Sequence, residues 1–452
     1  MDDTTLVAKD TLLLGKQAIV FVNSKRSAES TAEKISKISK EVLIEEPKKI
    51  LKALSSPTRQ CVRLSNIVKK GVAFHHSGLN YKQREIVEDS FRAGKIKIIC
   101  ATPTLAAGLD MPAFRVIIRD LKRYSGFGMT YIPVLEFQQM IGRAGRPSFD
   151  TEGEAIVIVG SDKEKEFIIS NFINGEPENI YSKLAVEPVL RTYVLSLIST
   201  GFVSSFDELL VFMKKTFYAH QYGDFQKLEF ILSKVVSSLE EWEFLDSNFK
   251  ATALGHRVSE LYLDPYTANF LLDYLTEDFE DFGVLHLICS THEMRPLINV
   301  RKSDNDVAQG RLSKDDLLFF DGDLNTVKTA LVLDYWIGEY SEDFLYENLG
   351  VTPGELNSKV ERCDWLLYAL SELSRIKGFK VSSRLARLRV RVKNGVREEL
   401  LPLLRFKGIG RVRARKLFNN KIKDLGDVKR AQFSDLKLLL GEKTALKLKE
   451  QV

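Results

Sequence analysis

Only four cysteines occur in 452 residues, Cys61, Cys100, Cys289 and Cys363, and no two form a Cys-x-x-Cys pair. That excludes a disulfide-stapled scaffold and fits a reduced intracellular compartment. Cys289 with His292 is a lone half-site, whereas a structural zinc needs four ligands. No apolar run reaches the roughly 18 residues of a membrane span, and no secretory signal precedes Lys9. No Gly-x-x-x-x-Gly-Lys-Ser/Thr loop occurs, nor an acidic box after a buried strand. Asp278-Phe279-Glu280-Asp281 stands in a helical, surface-like context and does not serve as one. A phosphate-cradling loop and an acidic magnesium pair are what a self-sufficient nucleotide hydrolase of that type needs.

What is present supports roughly three or four domains. Hydrophobic content of 44% is enough for well-buried cores, and 28% charge is ordinary for a soluble protein. The net charge of +5 is unevenly spread. From Lys377 to Lys423 stand sixteen Lys/Arg and two Glu, which leaves fifty basic against fifty-nine acidic residues elsewhere. A basic block on an otherwise acidic chain is an electrostatic footprint for nucleic acid. The plainer alternatives are a solvated face or a membrane-surface segment.

The most informative segment is Gln139-Met140-Ile141-Gly142-Arg143-Ala144-Gly145-Arg146-Pro147. Arginine is permanently charged and presents a rigid fork of donors, which suits phosphate recognition. Two arginines three residues apart at a helix start lie on nearly one face and can converge on one phosphoryl group. Such a charge supplied from a second lobe is the arginine-finger device. The bland alternative is a solvated basic helix whose glycines allow close packing.

Residues 16–160 alternate short apolar strands with helical stretches. Ala18–Val22, Ile96–Cys100, Val116–Ile118 and Ala155–Val159 are the expected strands. Their continuous apolar runs predict a parallel sheet covered on both faces. Between Arg119 and Phe137, Gly126 and Gly128 with Tyr124, Phe127, Met129 and Tyr131 predict a hairpin. Residues 185–260 are expected to be helical with a short strand region, and 261–395 mainly helical. Pro353 starts a helix through Ser374 whose stripe is Leu356, Val360, Cys363, Leu367 and Leu370. Ser358, Arg362 and Trp365 fall on another face. A tryptophan there suits stacking on a base, with the arginine near a phosphate; the alternative is a core filler. Near the C-terminus, Gly408-Ile409-Gly410 precedes Arg411, Arg413, Arg415 and Lys416. Gly-x-Gly lets a backbone approach closely and opens a helix whose free N–H groups face an anion. The same glycines could instead make a tight inter-helix turn.

Gln139 to Pro147 resembles motif VI of superfamily 2 helicases. Ala101-Thr102-Pro103-Thr104-Leu105-Ala106-Ala107-Gly108-Leu109-Asp110-Met111-Pro112 resembles motif V, Ala73 to Leu79 motif IVa, and Gln17 to Lys25 motif IV. Phe-His-His-x-Gly-Leu together with Thr-Pro-Thr-Leu-Ala-Ala-Gly is similar to the archaeal Holliday-junction-migration helicases (Hjm type, similar to animal HELQ). The resemblance implies an α/β RecA-like lobe followed by mainly α-helical domains. It assigns residues 1–180 to a second motor lobe with a strand-separating hairpin at 119–137, 181–260 to a winged helix, 261–395 to a helical ratchet domain, and 396–452 to a helix–hairpin–helix. Lys16 to Val22 already enters the first strand of the second lobe, so the first lobe is expected to be missing. The segment alone is then expected to bind DNA and to hydrolyse ATP poorly.

The implied roles follow residue by residue. Arg143 and Arg146 stabilise charge on the γ-phosphate, and Gln139 orients water or touches that phosphate. Gly108 and Asp110 lie near the nucleotide. Thr102, His75 and His76 face the DNA backbone, a neutral imidazole needing no charge to donate one hydrogen bond. Tyr124 and Phe127 belong to the wedge, and Trp365 to the ratchet helix. The family's ratchet arginine, seven residues earlier, is Ser358 here; Lys359 or Arg362 would have to substitute. Gly408, Gly410, Arg411, Arg413 and Arg415 would hold the DNA backbone without reading sequence. ATP and Mg²⁺ are implied as cofactors, both held mainly by the missing lobe. Expected partners are single-stranded and forked DNA and that first lobe, for a monomeric, cytoplasmic protein of archaeal type. A related RNA helicase, or a binding module built on a degenerate motor lobe, are the competing readings.

Overall fold

The computed structural model describes residues 1–54, 57–106, 111–125, 128–146, 150–184, 187–312 and 316–452. The chain divides into two compact units. The first comprises Met1–Asn179 with Glu342–Asn357, the second Ile180–Ser341 with Ser358–Val452.

The first unit is built on a five-stranded parallel sheet: β1 (Ala18–Phe21), β2 (Val72–His75), β3 (Ile98–Ala101), β4 (Arg115–Ile118) and β7 (Glu154–Val157), in the order β2-β3-β1-β4-β7. Ala18 pairs with Ile98 on one side and Arg115 on the other. Every residue of β1 to β4 is buried, so side chains on both faces are covered. β2 is the strand that the four expected runs leave out. Its last residue is a histidine, so its apolar run is too short to stand out beside the motif it carries.

Helices follow the strands where polar caps permit. Ser24 Oγ accepts from Ser27 N to start Lys25–Ser36, and Asn80 Oδ1 accepts from Lys82 N to start Tyr81–Arg92. Segment 342–357 is far away in sequence yet packs into this unit. Gly354 N donates to Gly78 O at 3.0 Å, Arg59 Nη1 meets Glu347 at 2.9 Å, and Lys25 meets Glu355 at 2.6 Å. A Cβ on Gly354 would lie 2.2 Å from Ser77 O, so only glycine allows this approach.

The expected hairpin is present as β5 (Lys122–Ser125) and β6 (Gly128–Tyr131), antiparallel. Gly126 and Phe127 lie outside the described residues.

The second unit is helical among its described residues, apart from one antiparallel bridge, Leu245 with Ala251, where a wing was expected. Helix Pro353–Ile376 runs two residues past the expected end. Residues 353–357 are counted with the first unit. All five predicted stripe residues are buried, as are Leu366, Ala369 and Leu373. Residues 396–452 have their own apolar cluster, including Leu403, Phe406, Ile409, Leu417, Leu436 and Leu448.

Candidate nucleotide and nucleic-acid interface

Motif VI sits where helix Val134–Ile141 ends and the chain turns back to the sheet. Ala113 N donates to Arg143 O at 2.9 Å and Gly145 N to Ala113 O at 2.7 Å, so this turn is zipped to the strand entering β4. Arg143 Nη2 donates to Ala106 O at 2.6 Å. Ala106 is the C-cap of the short helix Pro103–Leu105 that follows Thr102, its N–H donating to Pro103 O. Motifs V and VI are therefore brought together, and Arg143 spends one hydrogen bond doing so. Gln139 is exposed. Thr102 is half-buried, its Oγ1 2.9 Å from Thr104 Oγ1. Gly108 and Asp110 lie outside the described residues.

Arg146 is held more firmly than the sequence suggested. Nε and Nη2 donate to Asp150 at 2.6 and 3.0 Å, and Nη1 donates to Gln17 Oε1 at 2.7 Å. Gln17 in turn donates to Phe91 O and Ile96 O. The Asp150 side chain is 1% exposed and also meets Lys16 at 2.7 Å. The hydrogen bond from Arg146, with help from Lys16, lowers the Asp150 carboxyl to about 2 despite burial. Sequence reasoning missed this brace because its members lie in three separate segments.

The pair His75 and His76 requires correction. Both imidazoles are buried, at 4% and 0% exposure, so neither faces a DNA backbone. His75 Nε2 lies 2.8 Å from Glu88, and His76 Nδ1 accepts from Gly78 N at 3.1 Å. Burial pushes the His76 imidazole below its ordinary value, so it stays neutral inside the lobe.

On the hairpin, Tyr124 and Met129 are directly opposed across the strands and are 73% and 57% exposed. Opposed residues share one face, so the outer end carries an apolar pair. The base is fixed: Lys122 Nζ stands 4.5 Å over the Tyr131 ring, and Tyr131 packs on Phe167 and Phe172. Phe127 lies outside the described residues.

In the second unit, Trp365 is half-buried and its Nε1 donates to Leu261 O at 3.1 Å. Lys359 is buried, and its Nζ donates to Met294 O and Pro296 O at 2.5 Å each. Arg362 donates to Glu293 O at 2.9 Å and also to Arg295 O. Lys359, the buried one of the two cations that could stand in for the arginine absent at Ser358, is held by the carbonyls of 294 and 296, and Arg362 places its Nη1 on those of 293 and 295. Cys289 is fully buried, which pushes its thiol up to about 12, and no metal-holding group of His, Cys, Asp or Glu occurs among the described residues.

The basic block is also thinner than its composition implies. Arg415 pairs with both Glu339 oxygens and with Glu399, which raises its pKa above the ordinary value. Arg411 lies 4.4 Å over the Trp336 ring and donates to Tyr340 O. Arg384, Arg387, Arg389 and Arg391 meet Phe279 O, Glu398, Asp364 and Asp281 respectively. Arg411 and Arg415, expected on the DNA backbone, are thus half-buried and have partners within the protein. Arg405, Lys407, Arg413 and Lys416 remain exposed, and among the described residues only Arg413 of these has a side-chain bond, to Gly408 O. Gly408 adopts φ +87°, and Gly410, the N-cap of helix Arg411–Asn419, provides no side-chain cap.

Residues 6–148 match the family model for the helicase conserved C-terminal domain. Residues 153–246 match a helix-turn-helix domain, and 282–395 match domain 4 of archaeal helicases. Proteins named ATP-dependent DNA helicase Hel308 are similar over most of the chain. The one from Pyrococcus horikoshii is 42% identical across 94% of this chain and 62% of its own length. Pyrococcus abyssi gives 41% across 96% and 63%, and Methanocella arvoryzae 38% across 100% and 65%. The chain is thus a homologue of the archaeal Hel308 superfamily 2 DNA helicases, and it spans 62% to 65% of the length of these relatives.

Proposed function

We propose that this chain is the second motor lobe and DNA-tracking portion of an ATP-dependent helicase that moves 3′ to 5′ on single-stranded DNA and opens forks in replication and repair. The observation that carries the reading is the junction of motifs V and VI, where one guanidinium donor of Arg143 fixes Ala106 O and no other side-chain bond of Arg143 occurs among the described residues. In this reading residues 1–180 form the motor lobe, 181–260 a winged helix, 261–395 the ratchet domain and 396–452 the helix–hairpin–helix. The protein acts as a monomer.

Arg143 and Arg146 supply positive charge to the γ-phosphate as it leaves, and Gln139 orients the attacking water. Arg146 must exchange part of its Asp150 contact for the phosphate. Gly108 and Asp110, which lie outside the described residues, are proposed to act on the nucleotide by their resemblance to motif V. The residues present suit the phosphate end of ATP; they offer no phosphate loop and no carboxylate pair, so a first lobe holds the nucleotide and Mg²⁺. When bound, the metal neutralises charge on the β- and γ-oxygens. The Tyr124–Met129 face caps the last base pair as strands part, and Thr102 touches the backbone. Trp365 stacks on the tracked strand. Gly408, Gly410 and Arg413 hold the backbone beyond it, with Lys407 and Lys416 adding charge.

The test is unwinding of a 3′-tailed fork by this chain completed with a relative's first lobe. ATP-dependent strand release supports the reading. Release on 5′-tailed forks alone, or on RNA in preference to DNA, contradicts it.

A further inference from the structure

Tyr262 adopts φ +53°, a left-handed conformation that disfavours a residue bearing a Cβ. It follows the end of helix Ala253–Glu260, where Tyr262 N donates to Ser259 O and Leu263 N to Val258 O. Glycine is the usual occupant of such a helix-terminating position. The tyrosine gains no burial in return: it is 83% exposed, and its hydroxyl has no partner among the described residues. Folding therefore does not account for the ring. A strained backbone that presents an unpacked side chain is a pattern seen at functional sites.

Its chain neighbour places it beside the helix that carries Trp365. Leu261, the preceding residue, accepts the indole N–H of Trp365. Three residues earlier on the same helix, Arg362 grips the carbonyls of Glu293 and Arg295. Residues three apart lie on adjacent turns of one helix face. The chain segments carrying Tyr262 and Arg295 are therefore bound from one face of the Trp365 helix, by residues about 4.5 Å apart along its axis. Arg295 is exposed, its side chain makes no bond among the described residues, and its backbone is held by Arg362. Lys359 fixes the carbonyls on either side, Met294 and Pro296.

We infer that Tyr262 and Arg295 form, with Trp365, a binding site for single-stranded nucleic acid: Tyr262 is a second stacking platform, and Arg295 supplies the phosphate contact that Ser358 does not. This inference rests on the tracking role proposed for Trp365. Lys359 and Arg362 are positioning residues in it, since they act by fixing the 293–296 turn. Stacking on an exposed ring needs no particular base, and a neighbouring guanidinium suits a backbone phosphate.

The experiment measures binding of a fluorescein-labelled oligothymidylate to this chain by anisotropy over a salt series. Tyr262→Ala is expected to weaken binding about tenfold, and Tyr262→Phe to stay within about twofold. Tyr262→Gly should weaken binding as much as alanine while raising Tm, because the strain is relieved. A purely structural tyrosine would not give these opposite signs. Arg295→Ala should weaken binding and lower the salt slope by about one. If Trp365→Ala weakens binding while Tyr262→Ala, Tyr262→Gly and Arg295→Ala do not, the inference fails and the tracking role stands. If none of the four changes affinity, the tracking role fails as well.

Discussion

In the first unit, Arg143 makes one side-chain hydrogen bond among the described residues, to Ala106 O of the neighbouring motif. In the second unit, Arg415 closes a three-member ion cluster with Glu339 and Glu399, and Arg389 and Arg391 are bound to Asp364 and Asp281. The sequence marks both places as arginine-rich. The difference lies in topology. A parallel sheet delivers the loops after its strands to one edge, whatever lies elsewhere in the chain. A helical assembly leaves each arginine to find partners on whichever helix comes alongside. A run of basic residues is therefore a reliable sign of field strength only after its internal partners are subtracted.

The sharpest way to break this comparison is Arg146→Ala in an enzyme that includes a first motor lobe. DNA-stimulated ATP hydrolysis should fall at least about a thousandfold, the scale of a lost arginine finger, with DNA binding nearly intact. Unchanged turnover would make Arg146 only the brace of Asp150. Next in size is Gly354→Val. Its side chain would collide with Ser77 O and Leu79 O, and overpacking of this kind costs about 3 kcal/mol. Urea unfolding followed by circular dichroism measures it, and an unchanged midpoint would remove 342–357 from the first unit.

The second unit is tested by a matched pair. Arg415→Gln should lower stability by about 1–2 kcal/mol and leave the salt slope of DNA binding alone. The double change Arg413→Gln with Lys416→Gln should do the reverse, lowering the slope by about two. Equal slopes in both proteins would mean the ion cluster opens onto DNA. The smallest effect is a pH dependence. Asp150 titrates near 2 when folded, below its ordinary 3.8. A depressed carboxyl gives stability that is fully present above about pH 4 and is lost as pH falls toward 2. Asp150→Asn should flatten acid unfolding across that window; an unaltered curve would show that the Arg146 and Lys16 contacts add nothing.

Much of the first unit was legible. β1, β3, β4 and β7 follow from continuous apolar runs. The hairpin follows from its glycines, and Tyr124 stands exposed on it. What stayed hidden depended on distant partners. Nothing local joins Gln17 and Asp150 to Arg146, or assigns Lys359 and Arg362 to the carbonyls of 293–296. His75 and His76 suggested a contact site because two adjacent imidazoles at a strand end are unusual; the lobe uses them internally against Glu88 and Gly78. Tyr262 carried no signal at all, since a positive φ at tyrosine is visible only in the fold.

The most direct measurement is ATP hydrolysis by this purified chain, with and without single-stranded DNA, alongside DNA binding. The account predicts no turnover above background in either case, with DNA still bound. DNA-stimulated turnover would reveal a phosphate site within these residues, and the two-lobe division of labour would be wrong.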